Sequence, residues 1–161
     1  MCKKTSIIIA LMIFMSFSLM AIPPLGLPKL KTPSDNPMTP EKIALGDRLF
    51  HDTRFSADQK ISCATCHDKN KGFTDNLAVS TGFRGQTGTR NAPTVINSAY
   101  MKSMFWDGRE PSLERQSLGP PINPVEGGLH SHEPIIKVIQ ADKKYVKQFK
   151  KVFGVTKSNI T

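Results

Sequence analysis

Apolar residues recur at helical spacing in three stretches of the chain. Ile43, Leu45, Leu49 and Phe50 line one side of a helix that Thr39-Pro40-Glu41 starts, with threonine as N-cap and proline in the first helical position. Ile135, Ile136, Val138 and Ile139 follow Pro134. Tyr145, Val146, Phe149 and Phe153 follow Asp142, which can cap their helix, and Gly154 is a natural C-terminal stop. Shorter helices are expected around residues 62–67 and over 111–118, the second ended by Gly119-Pro120-Pro121. From 69 to 92 the glycines at 72, 82, 85 and 88 recur with neither helical nor strand periodicity. A long irregular segment inside a compact domain wraps something or carries function. With no strand pattern and no internal repeat, the expected fold is mostly α, with short helices and long loops.

The N-terminal pattern differs. Lys3 and Lys4 precede an apolar run over 7–19 that only Ser16 and Ser18 interrupt, and the small Ala21 can precede a cleavage point. That run is shorter than the roughly 20 residues of a spanning helix, and Pro23 and Pro24 end it. Residues 1–21 therefore read as a cleavable signal peptide. Cys2 lies upstream of the run, whereas a lipidated cysteine would follow it, and it receives no role. Six of the twelve prolines fall from Pro23 to Pro40, so 22–38 reads as an extended lead-in and 39–161 as the domain.

The formal net charge is +9. Much of it sits near the C-terminus, where Lys137, Lys143, Lys144, Lys147, Lys150, Lys151 and Lys157 face Asp142 alone. Such a run is ordinarily a solvated helix face; the alternative is a docking surface for an acidic protein. The aromatics among these lysines, Tyr145, Phe149 and Phe153, belong to the apolar face of the helix, and an exported chain argues against nucleic acid. The last four residues, Ser158-Asn159-Ile160-Thr161, do not resemble a finishing element, so the chain looks cut.

Export leaves Cys63 and Cys66, which an oxidising compartment could join as a disulfide. Their setting points elsewhere. Cys63-Ala64-Thr65-Cys66-His67 is a C-x-x-C-H sequence, the attachment signature of c-type haem. On a helical segment the two cysteines match the separation of the haem vinyl groups, and the histidine reaches the iron from the same side. A zinc site needs a second ligand pair, and a redox dithiol prefers a βαβ setting; neither is present. The sixth iron position then decides between electron transfer and ligand chemistry. Candidates for it are His51, His130, His132, Met101 and Met104, and the residues alone leave a monohaem electron carrier open.

Six blocks, taken in order, resemble the bacterial di-haem cytochrome c peroxidase family. They are Leu45-Gly46 through Leu49-Phe50, the segment from Ile61 through the haem motif to Asp68, Gly72-Phe73-Thr74-Asp75, Arg90-Asn91-Ala92-Pro93-Thr94, Phe105-Trp106-Asp107-Gly108-Arg109, and Gly119 through Glu126. The resemblance implies a cytochrome c-like haem domain, the N-terminal one of two. The second haem domain is missing here, which implies a fragment or a truncated product. It also implies a periplasmic peroxidase that reduces hydrogen peroxide with electrons from a small donor, a cytochrome c or a copper protein. A monohaem carrier and a haem-binding remnant without turnover are the alternatives.

The resemblance also assigns residues. Gln116, ten residues after Trp106, and Glu126, twenty after it, match the family's distal glutamine and glutamate. A carboxylate can move a proton from the inner to the outer peroxide oxygen, and an amide can orient the peroxide without titrating. Trp106 resembles the family's tryptophan between the haems, on the electron route. Asn91 matches a side chain that helps bind calcium at the domain junction. Arg84, Arg90 and Arg109 could pair with haem propionates. One departure stands out: Phe83 occupies the slot of the histidine that caps the resting iron in many members. In this the chain looks closer to the branch with the methylamine-dehydrogenase maturation enzymes, whose reactive haem is open at rest.

Overall fold

The computed structural model describes residues 26–161; the signal-peptide reading of 1–21 lies outside them. All the helices belong to one unit, Lys31–Thr161, and the described residues before it, 26–30, form a turn at Gly26 and irregular chain. Among the described residues there are six α-helices: α1 (Pro40–Phe50), α2 (Cys63–Cys66), α3 (Leu113–Gln116), α4 (Gly119–Ile122), α5 (Glu133–Ala141) and α6 (Lys143–Phe153). They contain no strand, only three isolated bridges that close loops, Asp68 with Thr74, Thr81 with Thr87 and Met104 with Glu110. None of these helices is long and apolar enough to cross a membrane.

The expected helix signals act as read. The Thr39 hydroxyl accepts the Lys42 N–H at 3.2 Å, and Pro40 sits where its missing N–H costs nothing. Asp142 caps α6 through Lys144 N–H at 2.8 Å, and Gly154 ends it at φ 70°, a conformation that glycine adopts without strain. Two local expectations fail. Gly119-Pro120-Pro121 does not simply end a helix; it forms the separate turn α4, because prolines fit the first turn of a helix. Ile43 is exposed rather than packed, since the buried stripe of α1 runs through Leu45 and Leu49.

The core is built where α1, α5 and α6 meet. Leu45, Ile139, Tyr145 and Ile160 are buried together, with Leu49, Phe55, Val146, Phe149 and Val152 against them. An ionic layer closes one side of it. Asp142 Oδ2 lies 2.7 Å from Arg48 and 3.1 Å from Arg54, and Asp52 Oδ2 lies 2.6 Å from Arg54. The buried Tyr145 donates its hydroxyl to Asp52 at 2.8 Å, and the Arg48 guanidinium stacks 3.7 Å above its ring. Hydrogen bonding to Arg54 holds the Asp52 carboxyl down to about 2. This layer joins the first helix to the last. The half of the domain between them, residues 56–131, is mostly loop.

Candidate functional site

The turn α2 puts Cys63 and Cys66 one helical turn apart, on one side of the chain. It starts at Ser62, whose backbone N–H is met by the Thr65 hydroxyl at 3.0 Å. Both cysteines are free, and burial pushes both thiols up. His67 follows at once, its backbone N–H bonded to the Cys63 carbonyl at 3.0 Å. Its ring Nδ1 lies 3.2 Å from the carbonyl oxygen of Phe73. A carbonyl can only accept, so Nδ1 carries the proton and Nε2 is left with its lone pair, as an iron ligand requires. Phe73 adopts φ 58°, unusual for a bulky residue, and this places its carbonyl in a turn over 68–74, closed by Asp68 and Thr74. The buried Ser80 hydroxyl lies beside Cys66 and Asp75. This donor set fits a c-type haem: two thiols at vinyl spacing and one histidine of fixed tautomer.

Glu126 stands close enough to this turn for its charge to raise both thiols. It is half-buried, and burial pushes its carboxyl up from the usual range while the positive charge of Arg109 pulls it down. The loop that carries it is held from two sides. Phe83 donates its backbone N–H to the carbonyls of Val125 at 3.0 Å and Glu126 at 2.8 Å, and Gln86 Nε2 reaches the Pro124 carbonyl at 3.1 Å. Gly82 allows this approach, since a Cβ there would run into the Val125 and Glu126 backbone. The Phe83 ring lies against Gly128, which has φ 73°. Asn123 bonds to the Glu126 carboxylate at 2.8 Å.

Gln116 is the last residue of α3, half-buried, and α3 packs beside α4, whose end leads into Asn123 and Glu126. Gln116 and Glu126 are thus carried by consecutive elements. Trp106 lies outside the core, 60% exposed, and its indole N–H donates to the Asn91 carbonyl at 3.0 Å. The Asn91 side chain is exposed, and no group of three or more His, Cys, Asp or Glu that could hold a metal occurs among the described residues. Arg90 and Arg109 both pair with Asp107, at 3.2 and 2.8 Å, and Arg109 stacks 3.5 Å over Phe105. Arg84 covers the Phe83 ring.

The candidates for a sixth ligand are scattered. His51 is exposed and bonds through Nδ1 to the Asp47 carbonyl at 2.8 Å. The Nε2 of His132 is 2.8 Å from the Leu118 carbonyl, and His130 is exposed. Met104 is buried, whereas Met101 is exposed. Three participants escaped the sequence reading: the Phe73 carbonyl, Asp107 and Asn123. All three stand inside the blocks that carry the family resemblance, where nothing in the sequence assigned them a role.

A helical domain in which C-x-x-C-H ends a one-turn helix, with a half-buried carboxylate nearby, defines a c-type haem domain. The family model described as di-haem cytochrome c peroxidase matches residues 40–161, and the chain belongs to that family. It is 44% identical over 131 residues to cytochrome c peroxidase Ccp of Escherichia coli, covering 80% of this chain and 28% of that protein. It is 39% identical over 122 residues to methylamine utilization protein MauG of Methylorubrum extorquens, covering 76% and 34%. Among solved structures, a MauG-like protein associated with microbial copper homeostasis superimposes with a TM-score of 0.72 at 36% identity, over 81% of this chain and 40% of that one. The chain thus spans about a third of the length of the curated relatives it matches.

Proposed function

We propose that this chain is the N-terminal haem domain of a periplasmic peroxidase, which reduces hydrogen peroxide to two waters with two protons and two electrons. Export would use residues 1–21, and the electrons would come from a small donor protein, a cytochrome c or a copper protein. Cys63 and Cys66 would hold the haem as thioethers, and His67 Nε2 would bind its iron. When bound, the haem supplies the peroxide-binding position and the electron exchange.

The protein's own side chains supply the proton chemistry. The Glu126 carboxylate accepts a proton from the near peroxide oxygen and returns it to the far one, so that the far oxygen leaves as water. The Gln116 amide orients the peroxide by hydrogen bonding. The positive charge of Arg109 opposes the effect of burial on the Glu126 carboxyl. Trp106 lies on the electron route, and its exposed ring is available to a second haem domain. Asn91, joined to it, is the proposed calcium contact at that junction.

The observation that carries this reading is the half-buried Glu126, with its raised pKa, standing near a C-x-x-C-H turn of fixed histidine tautomer. The test is Glu126→Gln. Peroxide cleavage in single-turnover mixing should fall by roughly 10²–10⁴-fold with the haem spectrum nearly unchanged. An unchanged rate would remove Glu126 and leave an electron carrier as the better description.

A further inference from the structure

The carboxylate that matters most here is not left to choose its own orientation. Asn123, directly after α4, uses both ends of its side-chain amide. Its Oδ1 accepts the Val125 N–H at 2.9 Å, and its Nδ2 donates to Glu126 Oε1 at 2.8 Å. The first bond fixes the second, because a backbone N–H can be met only by the amide's carbonyl oxygen. The NH2 group must then face the carboxylate. Its backbone carbonyl adds two further bonds, accepting Glu126 N–H at 3.1 Å and Gly128 N–H at 2.8 Å.

We propose that Asn123 is the positioning residue of Glu126, holding Oε1 as a hydrogen-bond acceptor and leaving Oε2 as the oxygen that exchanges the proton. The inference rests on the peroxidase reading above and deepens it. The backbone of 123–128 is already fixed, by Asn123 from within and by Phe83 and Gln86 from the neighbouring loop. The remaining freedom is in the Glu126 side-chain torsions, and the Asn123 amide removes it. This matters because a displacement of about 1 Å at a reacting group can cost about 10²-fold in rate. The groups that face Glu126 are Asn123, Arg109 and the Cys63 and Cys66 sulfurs, and the sulfurs carry no charge as thioethers.

Asn123→Asp separates positioning from turn capping. Aspartate keeps an oxygen for the Val125 N–H but turns a second acceptor toward Glu126, where a donor is needed. In the haem-loaded full chain, thermal melting should stay near that of the parent. Single-turnover peroxide cleavage should fall about tenfold or more, and its pH midpoint should rise, because two facing carboxylates resist joint ionisation. In the Glu126→Gln background the same substitution should cost almost nothing further. A second readout needs no peroxide: in protein labelled with 13C-glutamate, the infrared carboxylate band that disappears in Glu126→Gln should shift in Asn123→Asp. If Asn123→Asp does not fold, Asn123→Ser keeps a hydroxyl acceptor for Val125 on a side chain shorter than the amide that reaches Glu126, and is read in the same way. An unmoved band and pH midpoint, or an equal loss in the Glu126→Gln background, would overturn the proposal. A shifted band combined with a silent Glu126→Gln would instead sink the peroxidase reading and leave the contact standing.

Discussion

The His67 imidazole and the Phe73 carbonyl are joined at 3.2 Å across the turn over 68–74, and Phe73 holds a left-handed backbone at φ 58° to make the contact. Non-glycine residues keep such conformations only where their surroundings over-determine them. Here the Phe73 N–H is itself bonded to the Asp68 carbonyl at 2.8 Å, and Asp68 N–H to Thr74 at 3.1 Å. The turn therefore fixes which ring nitrogen faces outward before any iron is present.

The proposed thioether attachment can be checked directly. Acid-acetone extraction of the denatured protein should leave the haem on the chain, through Cys63 and Cys66. His67→Ala should keep the thioethers and lose stable iron ligation, read as a changed Soret band. Haem that washes out entirely would refute the attachment.

The pH dependence of peroxide cleavage should carry the mark of Glu126. Its ionised form is the base, and burial lifts its pKa above 4.5. The rate should therefore rise with pH through a midpoint higher than that of an ordinary glutamate and lose this limb in Glu126→Gln. Gln116→Ala should lower the rate less and leave the midpoint in place, since an amide does not titrate. A midpoint that moves in Gln116→Ala would contradict the division of labour.

Phe83 cannot bind iron, and its ring packs against Gly128 while its N–H secures the Glu126 loop. The ferric protein should accordingly give a dominant high-spin signal in electron paramagnetic resonance, with rapid cyanide binding. The opposite result is a low-spin signal that persists in Phe83→Ala and disappears in His130→Ala or His132→Ala. That pattern would identify a histidine cap.

Acid should loosen the ionic layer over the core. The Asp52 pKa, lowered to about 2, means that its stabilising contribution is complete above the unfolded value near 3.8 and is lost as pH falls toward 2. Denaturant unfolding should show a stability drop across that window, of about 2 kcal/mol from this group. The drop should shrink in Asp52→Asn, which starts out less stable. An unchanged pH dependence in that variant would place the acid sensitivity elsewhere.

The haem motif, the caps at Thr39 and Asp142 and the stop at Gly154 could all be read from the sequence, because each acts over four or five residues. Local chemistry of this kind depends on neighbours along the chain. The sequence also suggested Glu126 and Gln116, though only through the family resemblance, since nothing near either one marks it as catalytic. What the tertiary structure decided depends on contacts between distant segments. The loop at 82–86 supports the one at 124–126, Asp52 and Asp142 are gathered by Arg48 and Arg54, and Ile160 enters a core begun by Leu45. The same limit explains Trp106, which core packing would have buried and the fold leaves exposed, and Ile43, whose periodicity fits α1 but which stays exposed among the described residues. Periodicity tells which residues share a helix face; only the packing of other elements determines which face is buried.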